Sequence, residues 1–124
     1  MARLVTAVAV VLFTALTLTS CGSSGSSSSG GAGSLPTKVI DITLNGNDVT
    51  PNGDTIDVQV GQPIQLKVTA DKPGEIHVHS SPKEQEFEYH AGSQTFTLTP
   101  IPAPGRTTVE SHTLEKTLFI LQAK

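Results

Sequence analysis

In the segment Gly61-Gln62-Pro63-Ile64-Gln65-Leu66-Lys67-Val68-Thr69, apolar and polar side chains alternate one for one after the Gly-Gln-Pro turn. Successive side chains on a strand point to opposite faces, so Ile64, Leu66 and Val68 share a buried face and Gln65, Lys67 and Thr69 a wet one. The same period recurs on both sides. Lys38 to Leu44 sets Ile40, Ile42 and Leu44 against Val39. Thr55 to Val60 aligns Ile56, Val58 and Val60, and Glu75 to His79 sets Ile76 and Val78 against Glu75, His77 and His79. Gln94 to Thr99 carries Phe96 and Leu98, and Thr107 to Ser111 carries Val109. Thr117 to Gln122 is denser in apolar residues, consistent with a more fully buried strand.

The intervals have turn chemistry. They are Asn45 to Asp48, Pro51 to Asp54, Gly61 to Pro63, Asp71 to Gly74, Ala91 to Ser93 and Pro100 to Gly105, where Gly and Asn allow positive φ and Pro fixes it. No segment holds a capped 3.6-residue period. The expected fold is all-β, an antiparallel Greek-key β-sandwich of about seven strands. The composition agrees, with 11 Gly and 8 Pro in 124 residues. Net charge is −3, with no basic stripe, so nucleic acid is not an expected partner. Glu84 to Glu88 is the densest acidic run and is expected as a solvated edge strand or loop, the alternative being a cation-attracting rim.

The N-terminal residues belong to a different class. Arg3 precedes an apolar stretch from Leu4 to Leu18, about the length of a signal h-region and short of the ~20 residues that span a bilayer. Leu18-Thr19-Ser20-Cys21 then resembles a bacterial lipobox, which implies cleavage before Cys21 and diacylglycerol on its sulfur. The alternative is a generic secretory signal with an incidental cysteine. Gly22 to Ser34 contains only Gly, Ser and Ala and is expected to act as a spacer reaching about 20 Å. The expected organisation is a signal peptide over 1–20, lipidated Cys21 and spacer over 21–34, and one domain over 35–124. That domain has 7 basic against 11 acidic side chains, a charge of −4, so it should not cling to anionic lipid by its own surface.

Within the domain the motifs resemble the cupredoxins. Gly61 to Val68 resembles the hairpin that opens such domains. Pro73-Gly74-Glu75-Ile76-His77-Val78-His79 resembles the strand bearing that family's first histidine ligand. Pro104 to His112 resembles the strand leading to the second ligand cluster, and Leu118 to Ala123 the closing strand. The resemblance implies a cupredoxin-like sandwich and points to copper. The chain departs from it at the ligands. A blue-copper centre takes two His, a Cys thiolate and a weak axial Met. The one Cys here is Cys21, before the domain, and the one Met is Met1. His112 stands where the family often has Cys, so type 1 electron transfer is not expected.

Four histidines remain: His77, His79, His90 and His112. Imidazole suits Cu(II), Zn(II) or Ni(II), and Glu75 or Glu110 is placed to complete or orient a site. The candidate metal ligands are His79 and His112 first, then His77; His90 falls at a turn. The competing account treats these histidines as polar decoration or as hydrogen-bonded structural residues. No nucleophile elbow, phosphate loop or zinc-protease motif is present, so catalysis is not expected. The expected protein is a lipid-anchored, extracytoplasmic binding module that handles copper or another divalent metal, beside a membrane-protein partner if it has one. The alternative is a protein-interaction or structural sandwich without metal.

Overall fold

The computed structural model describes residues 34–124; the segments read as signal peptide, acylated Cys21 and most of the spacer lie outside them. Nine strands occur, β1 (Lys38–Asn45), β2 (Asp48–Thr50), β3 (Asp54–Val58), β4 (Ile64–Ala70), β5 (Gly74–Val78), β6 (Gln85–Tyr89), β7 (Gly92–Leu98), β8 (Gly105–Ser111) and β9 (Lys116–Ala123). Among the described residues there is no helix. One sheet has the order β2-β1-β4-β7 and the other β3-β9-β8-β5-β6.

The sandwich closes where alternation requires. Ile40, Ile42 and Leu44 of β1 meet Ile64, Leu66 and Val68 of β4 in one core with Ile76, Val78, Leu98, Val109 and Leu121. Val39, on the opposite parity, is exposed. Both sheets and every residue of this core lie between Lys38 and Lys124, so the domain carries what it needs to fold.

Three features differ from the sequence expectation. Among the described residues there are nine strands rather than about seven. β2 is too short to show a period, and β6 carries alternating glutamates outside an inward series of Gln85, Phe87 and Tyr89. The sheets are mixed rather than antiparallel, because β1 pairs with β4 and β3 with β9 in parallel. Each parallel pair is joined by a connection that crosses to the opposite sheet and back, through β3 for β1 and β4 and through β4 and β7 for β3 and β9, which local patterning does not record. The proposed turn at Ala91 to Ser93 is also shorter, since β7 begins at Gly92.

β9 is the more fully buried strand expected, with no exposed residue, but its register is irregular. Val109 pairs with Phe119 but Glu110 pairs with Thr117, leaving Leu118 as an extra residue in a β-bulge. The bulge lets consecutive Leu118 and Phe119 both turn inward, while Ile120 remains partly exposed. It also sets Thr117 beside Glu110 on the outer surface.

Candidate metal centre

The outer face of the five-stranded sheet carries the site. Ile76 and Val78 are fully buried, so His77 between them points outward, and His79 follows just past the end of β5. His79 keeps the strand direction because its N–H donates to the carbonyl of Thr108, 2.9 Å away. His112 follows β8, which lies beside β5. His77 is flanked across the sheet by Glu86 on β6 and Glu110 on β8.

The three rings converge. Nδ1 of His77 is 3.0 Å from Nε2 of His112. Ring centroids are 4.4 Å apart for His77 and His79, 4.6 Å for His77 and His112, and 6.1 Å for His79 and His112. One nitrogen from each ring lies within 4.8 Å of the others. Nitrogens bound at about 2.0–2.1 Å to one ion stand about 3–4 Å apart, so small side-chain adjustments bring all three onto a cation. His77 is the centre of the cluster rather than its third member. Although it faces outward it is 7% exposed, because the neighbouring rings and carboxylates cover it. His90 is exposed at the β6–β7 turn and outside the cluster.

Carboxylates surround the rings. Glu110 Oε2 is 3.0 Å from Nε2 of His79 and Glu84 Oε1 is 3.3 Å from its Nδ1. A neutral imidazole has one N–H, so both contacts are satisfied together only by the imidazolium. The His79 pKa is accordingly raised above 6.5, chiefly by the Glu110 hydrogen bond; burial opposes this and Glu84 adds to it. Glu110 is held below its ordinary 4.5, first by His79, against burial, with the Thr117 hydroxyl donating to Oε1 at 3.1 Å. Glu75 Oε1 stands 3.8 Å from Nδ1 of His112. Glu84 Oε2 is 3.2 Å from Nε2 of His77 but off the ring's N–H direction, so this buried nitrogen has no hydrogen bond. Beside His112, Glu110, Lys116 and Thr117 line an open cleft of about 390 Å³.

Sequence reasoning named the three histidines, Glu75 and Glu110, but not Glu84 or Glu86 as neighbours of His77. The usable signal was the Gln85, Phe87, Tyr89 alternation. It makes β6 a strand, and a β5–β6 hairpin sets Glu86 opposite His77.

No protein-family model matches the chain, and no curated protein does. Solved structures do. The reduced auracyanin of Roseiflexus castenholzii aligns at TM-score 0.51 and 13% identity, over 73% of this chain and 98% of that one. A copper(I) amicyanin variant aligns at TM-score 0.52 and 10% identity, over 69% of this chain and 82% of its own. A blue copper oxidase from Nitrosomonas europaea aligns at TM-score 0.55 and 13% identity, over 73% of this chain and 44% of its own. The domain therefore has the cupredoxin fold. Within that fold it carries a three-histidine cluster with neither a thiolate nor a thioether, since Cys21 and Met1 precede the described residues. These side chains do not fit a blue-copper centre; they fit an ion held by imidazole and carboxylate.

Proposed function

We propose that this protein is a divalent-metal-binding module, with Cu(II) its first cation, held outside the cytoplasm by a lipid on Cys21. The observation that carries the metal reading is the approach of His77 Nδ1 to His112 Nε2 at 3.0 Å, with His79 beside them. Separated, solvent-facing imidazoles would instead have favoured an interaction sandwich. Imidazole-rich sites suit Cu(II), and the copper-bearing names among the structural neighbours support the same choice. His77, His79 and His112 would hold the ion. Glu110 and Glu75 would orient the imidazoles from the sides turned away from it. A bound ion would supply positive charge beside these carboxylates, and among the described residues no thiolate is present to tune a redox potential. Binding rather than catalysis is the role proposed.

Calorimetric titration of Cu(II) into residues 34–124 tests this, beside His77→Ala/His112→Ala. One-to-one binding is expected, weakened in the variant beyond the ~10–100-fold that loss of an outer-shell partner brings. Equal affinity in the two proteins would remove these histidines from any metal site.

A further inference from the structure

His77 has a second functional side. Its Nε2 points away from His112, is buried, and has no hydrogen bond. Two carboxylate oxygens stand beside it, off its in-plane axis, Glu84 Oε2 at 3.2 Å and Glu86 Oε1 at 3.6 Å. The other oxygen of Glu84 lies 3.3 Å from Nδ1 of His79. A buried nitrogen without a partner costs free energy, and a cation between it and the carboxylates would offset that cost. Donors bound at about 2.0–2.2 Å to one ion stand about 2.9–3.7 Å apart for bond angles between roughly 90° and 120°, and each nitrogen–carboxylate pair, taken singly, falls in that range, Glu84 meeting the two imidazoles through its two different oxygens.

The backbone places these oxygens. Glu86 is the direct cross-strand partner of His77 in the β5–β6 pair. Glu84 sits at the end of the loop between them, which is pinned by the Ser80 hydroxyl donating to the Lys83 carbonyl at 2.6 Å. The Gln85 amide donates to Ser80 Oγ at 3.1 Å, and Gln85 Oε1 accepts the Thr99 N–H at 2.7 Å.

We propose that the cluster offers a second cation position, formed by Nε2 of His77, Nδ1 of His79 and Glu84, with Glu86 as a further donor. The arrangement is two histidines with the exposed carboxylates of Glu84 and Glu86, a mixed donor set whose oxygens favour ions such as Fe(II) and Mn(II) more than three imidazoles do. It rests on the metal-binding reading above, because His77 and His79 serve both positions. A neutral imidazole has one lone pair, so His77 gives it either through Nδ1 toward His112 or through Nε2 toward Glu84. The two positions are therefore alternatives for a single ion, and donor preference selects between them: Cu(II) on the imidazole side and Mn(II) on the carboxylate side.

Cu(II) and Mn(II) are titrated separately into residues 34–124 and into Glu84→Gln/Glu86→Gln, His112→Ala and His77→Ala. Both glutamates are exposed, so the double variant keeps its packing. It is expected to weaken Mn(II) beyond the ~10–100-fold that loss of an outer-shell partner brings, because it removes direct donors, and to leave Cu(II) unchanged. His112→Ala is expected to do the reverse, and His77→Ala to weaken both. Mn(II) that fails to bind the parent domain, binds Glu84→Gln/Glu86→Gln as well as the parent, or is lost equally in His112→Ala overturns the second position. Each of those results leaves Cu(II) binding by the three imidazoles standing. Absence of Cu(II) binding to the parent domain removes that first reading instead.

Discussion

His79 sits between two carboxylates, and this sets a pH dependence at the scale of single residues. Its pKa is raised above 6.5, so its charged form favours the folded state. That contribution is complete below pH 6.5 and disappears as pH rises through the raised value. Glu110 is depressed below 4.5, so its contribution is complete above pH 4.5 and is lost as pH falls through the lowered value. The pair therefore stabilises the metal-free domain most between these limits. Both side chains are about one-third exposed, at 36% and 33%, which holds the effect to under about 1 kcal/mol. Melting temperatures of the parent and Glu110→Gln across pH 4 to 9 check this. The gap between them should be widest in the window from 4.5 to 6.5 and close toward pH 9. A gap that widens in alkali would show that the pair is not ionised as described.

At the scale of elements, β5 binds the histidine cluster to the core through a glycine. Gly74 opens the strand opposite Tyr89 of β6, whose buried ring lies against its Cα. A Cβ there would press on the Tyr89 hydroxyl, stand 2.7 Å from Cζ, and come within 2.9 Å of Thr113 Oγ1. The Thr113 hydroxyl in turn accepts the Glu75 N–H at 3.2 Å, and Thr113 is the residue after His112. Gly74→Ala should therefore cost about 1–3 kcal/mol by overpacking, read from urea denaturation, and should loosen Cu(II) binding through the displaced His112 segment. Unchanged stability would mean that the Tyr89 ring moves aside freely. The strands with a clear period were legible in the sequence: β1, β4 and β5 lie where their alternation placed them, with Ile76 and Val78 inward. β2, at three residues, and the β9 bulge were not, because a two-residue period needs length and an even register to be seen. The histidines could be named from parity on β5 and β8. Their ranking could not, since the central place of His77 comes from Glu86 and Glu110 standing on both sides of it, which depends on the order β8-β5-β6.

At the scale of the whole molecule, the proposed anchor at Cys21 and the acidic surface of the domain would divide the work. The domain's charge of −4 disfavours adhesion to anionic lipid, while its glutamates gather around the imidazoles and attract cations. Membrane residence would then have to come from Cys21, the sole cysteine, at the end of Leu18-Thr19-Ser20-Cys21. One acyl chain alone holds a protein only marginally, whereas diacylglycerol provides the two chains that stable anchoring requires. Expression of the full chain and of Cys21→Ala in a bacterium that processes lipoproteins separates the cases. The parent should sediment with membranes and incorporate labelled fatty acid, and Cys21→Ala should do neither while its domain binds Cu(II) with the parent's affinity. Retention of Cys21→Ala in the membrane fraction would transfer the attachment to the apolar stretch from Leu4 to Leu18, left uncleaved, and the metal centre would still face the same compartment.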